Sequence, residues 1–189
     1  MRTNGHVASL SVIVALTIAA ISCAKRATHA PPPPPPSVAA VAKVTTPSEA
    51  CDETLWNHVY AGDPRRFSSP KDRLQVLNPC ITVTGIIMQA RPEKDGDFHV
   101  TVNVDPSFKH LLNAKNVSGQ HGFLVVEPVC ENPVTQPDTV KEGSCNGFSQ
   151  HLFTQQMVKK HVRITGAYVT DMEHGWNEIH PVTSITVIP

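Results

Sequence analysis

Two segments of this chain carry the same phrase. Ile81-Thr82-Val83-Thr84-Gly85 and Val162-Arg163-Ile164-Thr165-Gly166 both alternate apolar and polar residues and then place a glycine. Alternation at period two is the pattern of a half-buried β-strand, because successive side chains leave on opposite faces. A glycine inside such a run marks a bulge or a sharp bend. Two bent strands of this kind constrain the fold more than any compositional feature does.

Further strands surround them. A first strand is expected to begin near Leu77. Asp95-Gly96-Asp97 is a turn signal, and His99-Val100-Thr101-Val102-Asn103-Val104 alternates cleanly after it, so a long antiparallel hairpin is expected. In its second strand Val100, Val102 and Val104 should face the core, with His99, Thr101 and Asn103 facing away. Gly122 to Val129 reads as a buried strand, Leu152 to Lys160 as a short helix or turn, and Trp176 to Ile188 as the last strand. Ahead of them, Ser48 is placed to cap a short helix on which Leu55, Trp56, Val59 and Tyr60 form one apolar face. Gly62-Asp63-Pro64 stops it, and a loop carrying Arg65, Arg66, Lys71 and Arg73 reads as a solvated basic surface. A β-sandwich normally needs about seven strands. Five strands, with glycine bends in the first and fourth and a helix-like connection before the fourth, give the fold class: mainly β, a small five-stranded OB-like barrel with a short N-terminal helix.

The barrel occupies 49–189. Residues 1–22 are built like a bacterial lipoprotein signal, with Arg2 at the start, an apolar run from Val7 to Ala20, and Ala20-Ile21-Ser22-Cys23 at its end. Cys23 is the expected lipidation site, which would anchor the chain to a membrane and make all that follows extracytoplasmic. The run is shorter than the roughly 20 apolar residues of a membrane span and is broken by Ser9, Ser11 and Thr17. Residues 23–48 read as a tether around the proline run Pro31 to Pro36, extended at about 3.1 Å per residue. Removing 1–22 takes away Arg2 and no acid, leaving 15 Lys and Arg against 16 Asp and Glu. A near-neutral chain has no overall field to attract nucleic acid, so a nucleic-acid partner is not expected.

The last segment holds Cys51, Cys80, Cys130 and Cys145. An even number outside the cytoplasm suggests two disulfides. Cys51 with Cys80 and Cys130 with Cys145 is the expected pairing, since each bridge then closes a local loop. No Cys-x-x-Cys spacing points to a metal instead.

Several phrases resemble a family of bacterial secreted or membrane-tethered OB-like domains of uncharacterised function. They are Trp56-Asn57-His58-Val59-Tyr60, Cys80 to Gly85, Asp95 to His99, Leu124 to Cys130 and Val162 to Gly166, and above all Asp171-Met172-Glu173-His174-Gly175-Trp176-Asn177-Glu178-Ile179-His180-Pro181-Val182. The resemblance implies the fold and a cell-envelope setting. It implies no reaction, because such barrels host unrelated functions.

Chemistry, if present, belongs to the last strand. Glu178 and His180 share a strand face, His174 and Trp176 lie just before them, and Asp97 and His99 could join from the hairpin. Asp97, His99, His174, Glu178 and His180 are therefore the candidate metal ligands, the ion itself being unspecified. The simpler account, and the one favoured, is structural: hydrogen-bonded groups fix the entry to the last strand, with Trp176 as a core plug and Pro181 as a bulge. No Gly-x-Ser-x-Gly elbow occurs, and the Asn116-Val117-Ser118 sequon has no role in a bacterial envelope protein. The expected function is a non-catalytic binding or structural module of the envelope, with a protein or small-molecule ligand. Two alternatives are a metal-dependent hydrolase using Asp97, His99, Glu178 and His180, and a single-strand nucleic-acid binder using the Arg65 to Arg73 loop around Phe67.

Overall fold

The computed structural model describes residues 50–189. Cys23, the signal and the tether fall outside that range. Five strands form the domain: β1 (Leu74–Pro92), β2 (Phe98–Val104), β3 (Leu124–Val126), β4 (His161–Asp171) and β5 (Asn177–Val187). They are ordered β1-β2-β3-β5-β4, and β4 returns to β1, so the mainly β sheet closes on itself. All pairings are antiparallel except β3 with β5. Among the described residues no helix is long and apolar enough to cross a membrane.

Closure depends on β1, which is 19 residues long and starts at Leu74 rather than Leu77. Its first part pairs with β4 and its last part with β2, and Gly85 lies where both ladders meet, opposite Val162 and Val104. Of the two readings, bulge or sharp bend, the bulge is absent at Gly85, since the register shifts at Val76 to Ile81 and at Ile87 to Gln89 instead. Gly85 serves close approach: a Cβ would come within 2.6 Å of the Asn103 carbonyl oxygen. Gly166 does mark a bulge, with His180 and Pro181 lying between the pairs Gly166–Val182 and Tyr168–Ile179, against Ala167 alone. A Cβ there would meet Ile179 Cγ2 and the Pro181 carbonyl oxygen at 2.5 Å.

Alternate residues of every strand fill the interior. Val83, Val100, Val102, Leu124, Val126, Ile164 and Ile179 are fully buried in one cluster, each contributing about 1.5 to 3 kcal/mol by leaving water. A second apolar cluster lies on the other face of the wall, where Leu74, Ala167 and Val169 meet Leu55, Val59, Val129 and Cys130. Both expected disulfides are formed, Cys51–Cys80 and Cys130–Cys145. The N-terminal element is a 3-10 turn over Glu53–His58, capped by Asp52 through Thr54 N–H; Ser48 lies outside the described residues. Of the four residues expected to form one apolar face, Leu55 within the turn and Val59 and Tyr60 just after it are buried, and Trp56 is half-buried.

Several segments differ from expectation. The segment expected as a strand from Gly122 to Val129 pairs only over Leu124–Val126, although Glu127 to Cys130 stay buried. His99 and Thr101 leave the barrel interior as predicted, yet they are covered by loops rather than by water. Arg73 is 4% exposed and not part of a solvated basic loop. Asn116 of the sequon is fully buried, and its side chain bonds both backbone groups of Asn177, tying the helix Ala114–Gly119 to β5.

Candidate functional site

The ladder register assembles the site. Val100 pairs with Val126, and Val126 with Ile179, forming an inward row across β2, β3 and β5. One residue further along, the same register aligns His99, Glu127 and His180, which point to the outer face. Their side chains meet there. His99 Nδ1 donates to Glu127 Oε1 at 2.9 Å, and Glu127 Oε2 lies 3.1 Å from His180 Nδ1. Glu178, two residues before His180 on the same face, accepts from His180 Nδ1 at 3.0 Å and from the Trp176 indole N–H at 2.7 Å.

Asp97 enters from the β1–β2 turn. Its Oδ1 accepts from the Cys130 backbone N–H at 2.9 Å, beside the Cys130–Cys145 bridge. Its Oδ2 approaches His180 Nε2 at 3.3 Å. That approach lacks hydrogen-bond alignment, and both atoms are buried without another partner.

Above this cluster is a cavity of about 840 Å³ with Glu127, His99, Trp176, Asp95 and Arg73 in its lining. Its rim comes from the β1–β2 turn (Glu93, Lys94, Asp95), the β4–β5 turn (Glu173, His174) and the segment around Asp63 and Arg65. Seven carboxylates line it against four Lys or Arg side chains and two histidines, His99 and His174, so acids outnumber bases in the cleft.

Burial and neighbouring charge set the protonation of these groups. Burial opposes a charged His180, but the carboxylates of Asp97, Glu127 and Glu178 outweigh it and hold the imidazole well above its usual range. Burial likewise opposes ionised Glu127, and hydrogen bonds from His180 and His99 hold its carboxyl well below the usual range. His99 is raised as its bond to Glu127 overcomes burial. Glu178 is pushed up by burial and by the charge of Glu127. Asp95, crowded by protein though partly open to the cleft, is pushed up to about 7 by burial and by Asp97 and Glu127. Arg73 stays charged against desolvation because Asp171, Glu178, Glu127 and Asp95 surround it.

Of the candidate residues, Asp97, His99, Glu178 and His180 do converge. His174 does not join them: it sits at the rim, bonded to Asp171 Oδ2 at 2.9 Å and stacked on Trp176 with ring centroids 4.3 Å apart. Trp176 is a half-buried wall of the cleft, not a core plug. Sequence reasoning missed Glu127, whose position depends on β3 lying parallel to β5, and Arg73, hidden in an apparently solvated basic stretch. It also missed Gln120, which contacts His99 Nε2 at 3.2 Å.

One donor atom each from Asp97, Glu127 and His180 can be chosen so that all lie within 4.8 Å, a separation that a single cation can bridge. Asp97 with Cys130 and Cys145 is equally close, but those sulfurs are bonded to each other and offer no thiolate. No family model, no curated protein and no solved structure matches the chain.

Proposed function

We propose that the protein is a membrane-tethered binding module of the bacterial cell envelope, an OB-like barrel that takes a small cationic ligand in its acidic cleft. The strand order and the parallel β3–β5 pair support the OB-like reading. Such barrels grip ligands with the loops after the first and fourth strands, and those are the turns that rim the cleft. The resemblance of the Asp171 to Val182 stretch to tethered envelope domains, and the lipoprotein-like segment ending at Cys23, support the setting.

The observation that carries the ligand class is the excess of seven carboxylates over four Lys or Arg side chains in that cleft. An acidic site raises the local concentration of cations and repels phosphodiesters. The Arg65 to Arg73 loop does not restore a basic groove, because Arg65 is paired with Asp63 at 2.7 Å and Arg73 is buried. The test is a titration of the full chain with spermidine and, separately, with a short oligothymidylate, following the Trp176 indole N–H by NMR. The amine should shift this signal, less so at high salt, and the oligonucleotide should leave it in place. A shift with the oligonucleotide alone would reverse the ligand class.

A further inference from the structure

We propose that Asp97, Glu127 and His180 form a binding site for one divalent transition-metal ion at the floor of the cleft, with Glu178 and His99 orienting the ligands. Each of the three side chains has one polar atom held by a neighbour, and one ligand atom from each can be chosen so that all lie within 4.8 Å of one another. Asp97 Oδ1 is held by the Cys130 N–H and Oδ2 is without a hydrogen bond. His180 Nδ1 donates to Glu178 at 3.0 Å, and Nε2 is without a hydrogen bond. Glu127 Oε1 is held by His99 Nδ1, while Oε2 lies 3.1 Å from His180 Nδ1 and would turn from that nitrogen to the ion.

Geometry and burial both favour an ion over a bare ion pair. Ligand atoms placed about 2.0 to 2.1 Å from a tetrahedral Zn²⁺ are separated by roughly 3.3 Å, and Asp97 Oδ2 lies 3.3 Å from His180 Nε2. An imidazole N–H would have to point along the ring plane at its acceptor, and Asp97 Oδ2 is off that line. A metal that displaces the Nε2 proton to solvent and takes its lone pair removes the mismatch, because the carboxylate then meets the ion and not the nitrogen. His180 and Asp97 are 0% and 2% exposed, and leaving two such atoms unsatisfied is costly. The carboxylate–imidazole pair Glu178–His180, with Glu178 fixed in turn by Trp176, is the outer-shell arrangement that metal-ligating histidines use. Of the three, Glu127 lines the cleft, so the site adjoins it through that residue. With one nitrogen and two carboxylates and no thiolate, the donor set suits Zn²⁺ or a neighbouring divalent ion.

The site stands apart from the cationic-ligand reading, since Zn²⁺ uptake and the spermidine shift are separate measurements. The experiment is calorimetric titration of the full, metal-stripped chain with Zn²⁺, with Co²⁺ absorption as a second probe. One equivalent of Zn²⁺ should bind, and Co²⁺ should give visible d–d bands without a thiolate charge-transfer band. Glu127→Gln, which is near-isosteric and faces the cleft, should weaken uptake at least 100-fold, as should Asp97→Asn, with folding checked by circular dichroism. Glu178→Gln should weaken it about 10- to 100-fold, and the exposed His110→Ala should leave it unchanged. A parent protein with no saturable one-equivalent uptake overturns the proposal without recourse to any variant. So does uptake that survives both Glu127→Gln and Asp97→Asn, which would mean surface histidines.

Discussion

Trp176 and Glu178 are joined by a 2.7 Å hydrogen bond from the indole N–H to Oε2, and that bond leaves Oε1 facing His180. The tryptophan therefore acts on the cluster through one atom. Its ring also stacks on His174 at the rim. Trp176→Phe keeps an aromatic ring for that stack and deletes the donor. Leaving Glu178 Oε2 without a partner in a fully buried residue should cost about 1 to 3 kcal/mol, read as a shifted urea midpoint. In a double-mutant cycle with Glu178→Gln the two changes should couple by about 0.5 kcal/mol or more. Strict additivity would show that the bond contributes nothing.

The two disulfides should differ in what they control. Cys51–Cys80 spans 29 residues and Cys130–Cys145 spans 15, so loop closure alone assigns about 3.6 and 3.0 kcal/mol. Only the second holds the backbone N–H that bonds Asp97. Replacing Cys130 and Cys145 with alanine should move the Trp176 indole resonance, whereas replacing Cys51 and Cys80 should lower stability with little change there. Equal perturbation by both pairs would sever the proposed link between bridge and cluster.

Asp171 and His174 give a pH dependence confined to the β4–β5 turn. His174 is raised, first by its bond to Asp171, so the stability it contributes is complete below about pH 6.5 and is lost as pH rises through the raised value. Asp171 is buried, which opposes its charge, but His174 and Arg73 hold its carboxyl below the usual range. Its contribution is present above about pH 4 and disappears as pH falls through the lowered value. The pair should therefore be strongest between those limits. An NMR titration should find the imidazole titrating above its ordinary value in the parent and falling back towards it in Asp171→Asn. No difference between the two proteins would remove the pair from the account.

Gly166→Ala should be severe, since its Cβ would lie 2.5 Å from a strand backbone oxygen and from Ile179. Overpacking of this kind costs about 1 to 3 kcal/mol, or more where backbone must move. Gly119→Ala is the control. Nothing lies within 4 Å of a Cβ there, the residue ends a helix, and alanine should be neutral or stabilise by up to about 1 kcal/mol. Thermal melts of both variants decide it, and a Gly166→Ala protein as stable as the parent would contradict the packing at the bulge.

Cys23→Ser should release the protein from membranes if the segment ending at Ser22-Cys23 is a lipoprotein signal. Fractionation of both forms checks this, and a serine variant that remains membrane-bound would rule out the lipid anchor.

The hairpin around Asp95-Gly96-Asp97 was legible because its signals are local: alternation on one side and turn residues at the tip. Glu178 with His180 was legible for the same reason, since two residues apart on a strand means one face. Both disulfides followed from the short loops they close. Glu127 was not legible, because nothing local to Leu124-Val125-Val126 states that it will run parallel to a strand some fifty residues later. Arg73 was misread because its stretch has the composition of a surface loop, while its burial depends on Asp171 and three other carboxylates brought by the closed sheet. Gly85 showed a special position but not its kind: close approach and bulging leave the same mark in a sequence.

His99 and His180 come from the second and last strands and Glu127 directly follows the third, and they share a row only when β5 has inserted beside β3. No partly folded chain can hold the cluster, since the first two residues without the third leave a bare acid–imidazole pair. Competence to bind at that floor is thus a report that the C-terminal strand has docked. A nascent or frayed domain would be silent, and proteolytic loss of the last ten residues, from His180 onward, would switch the site off before the rest of the barrel had come apart.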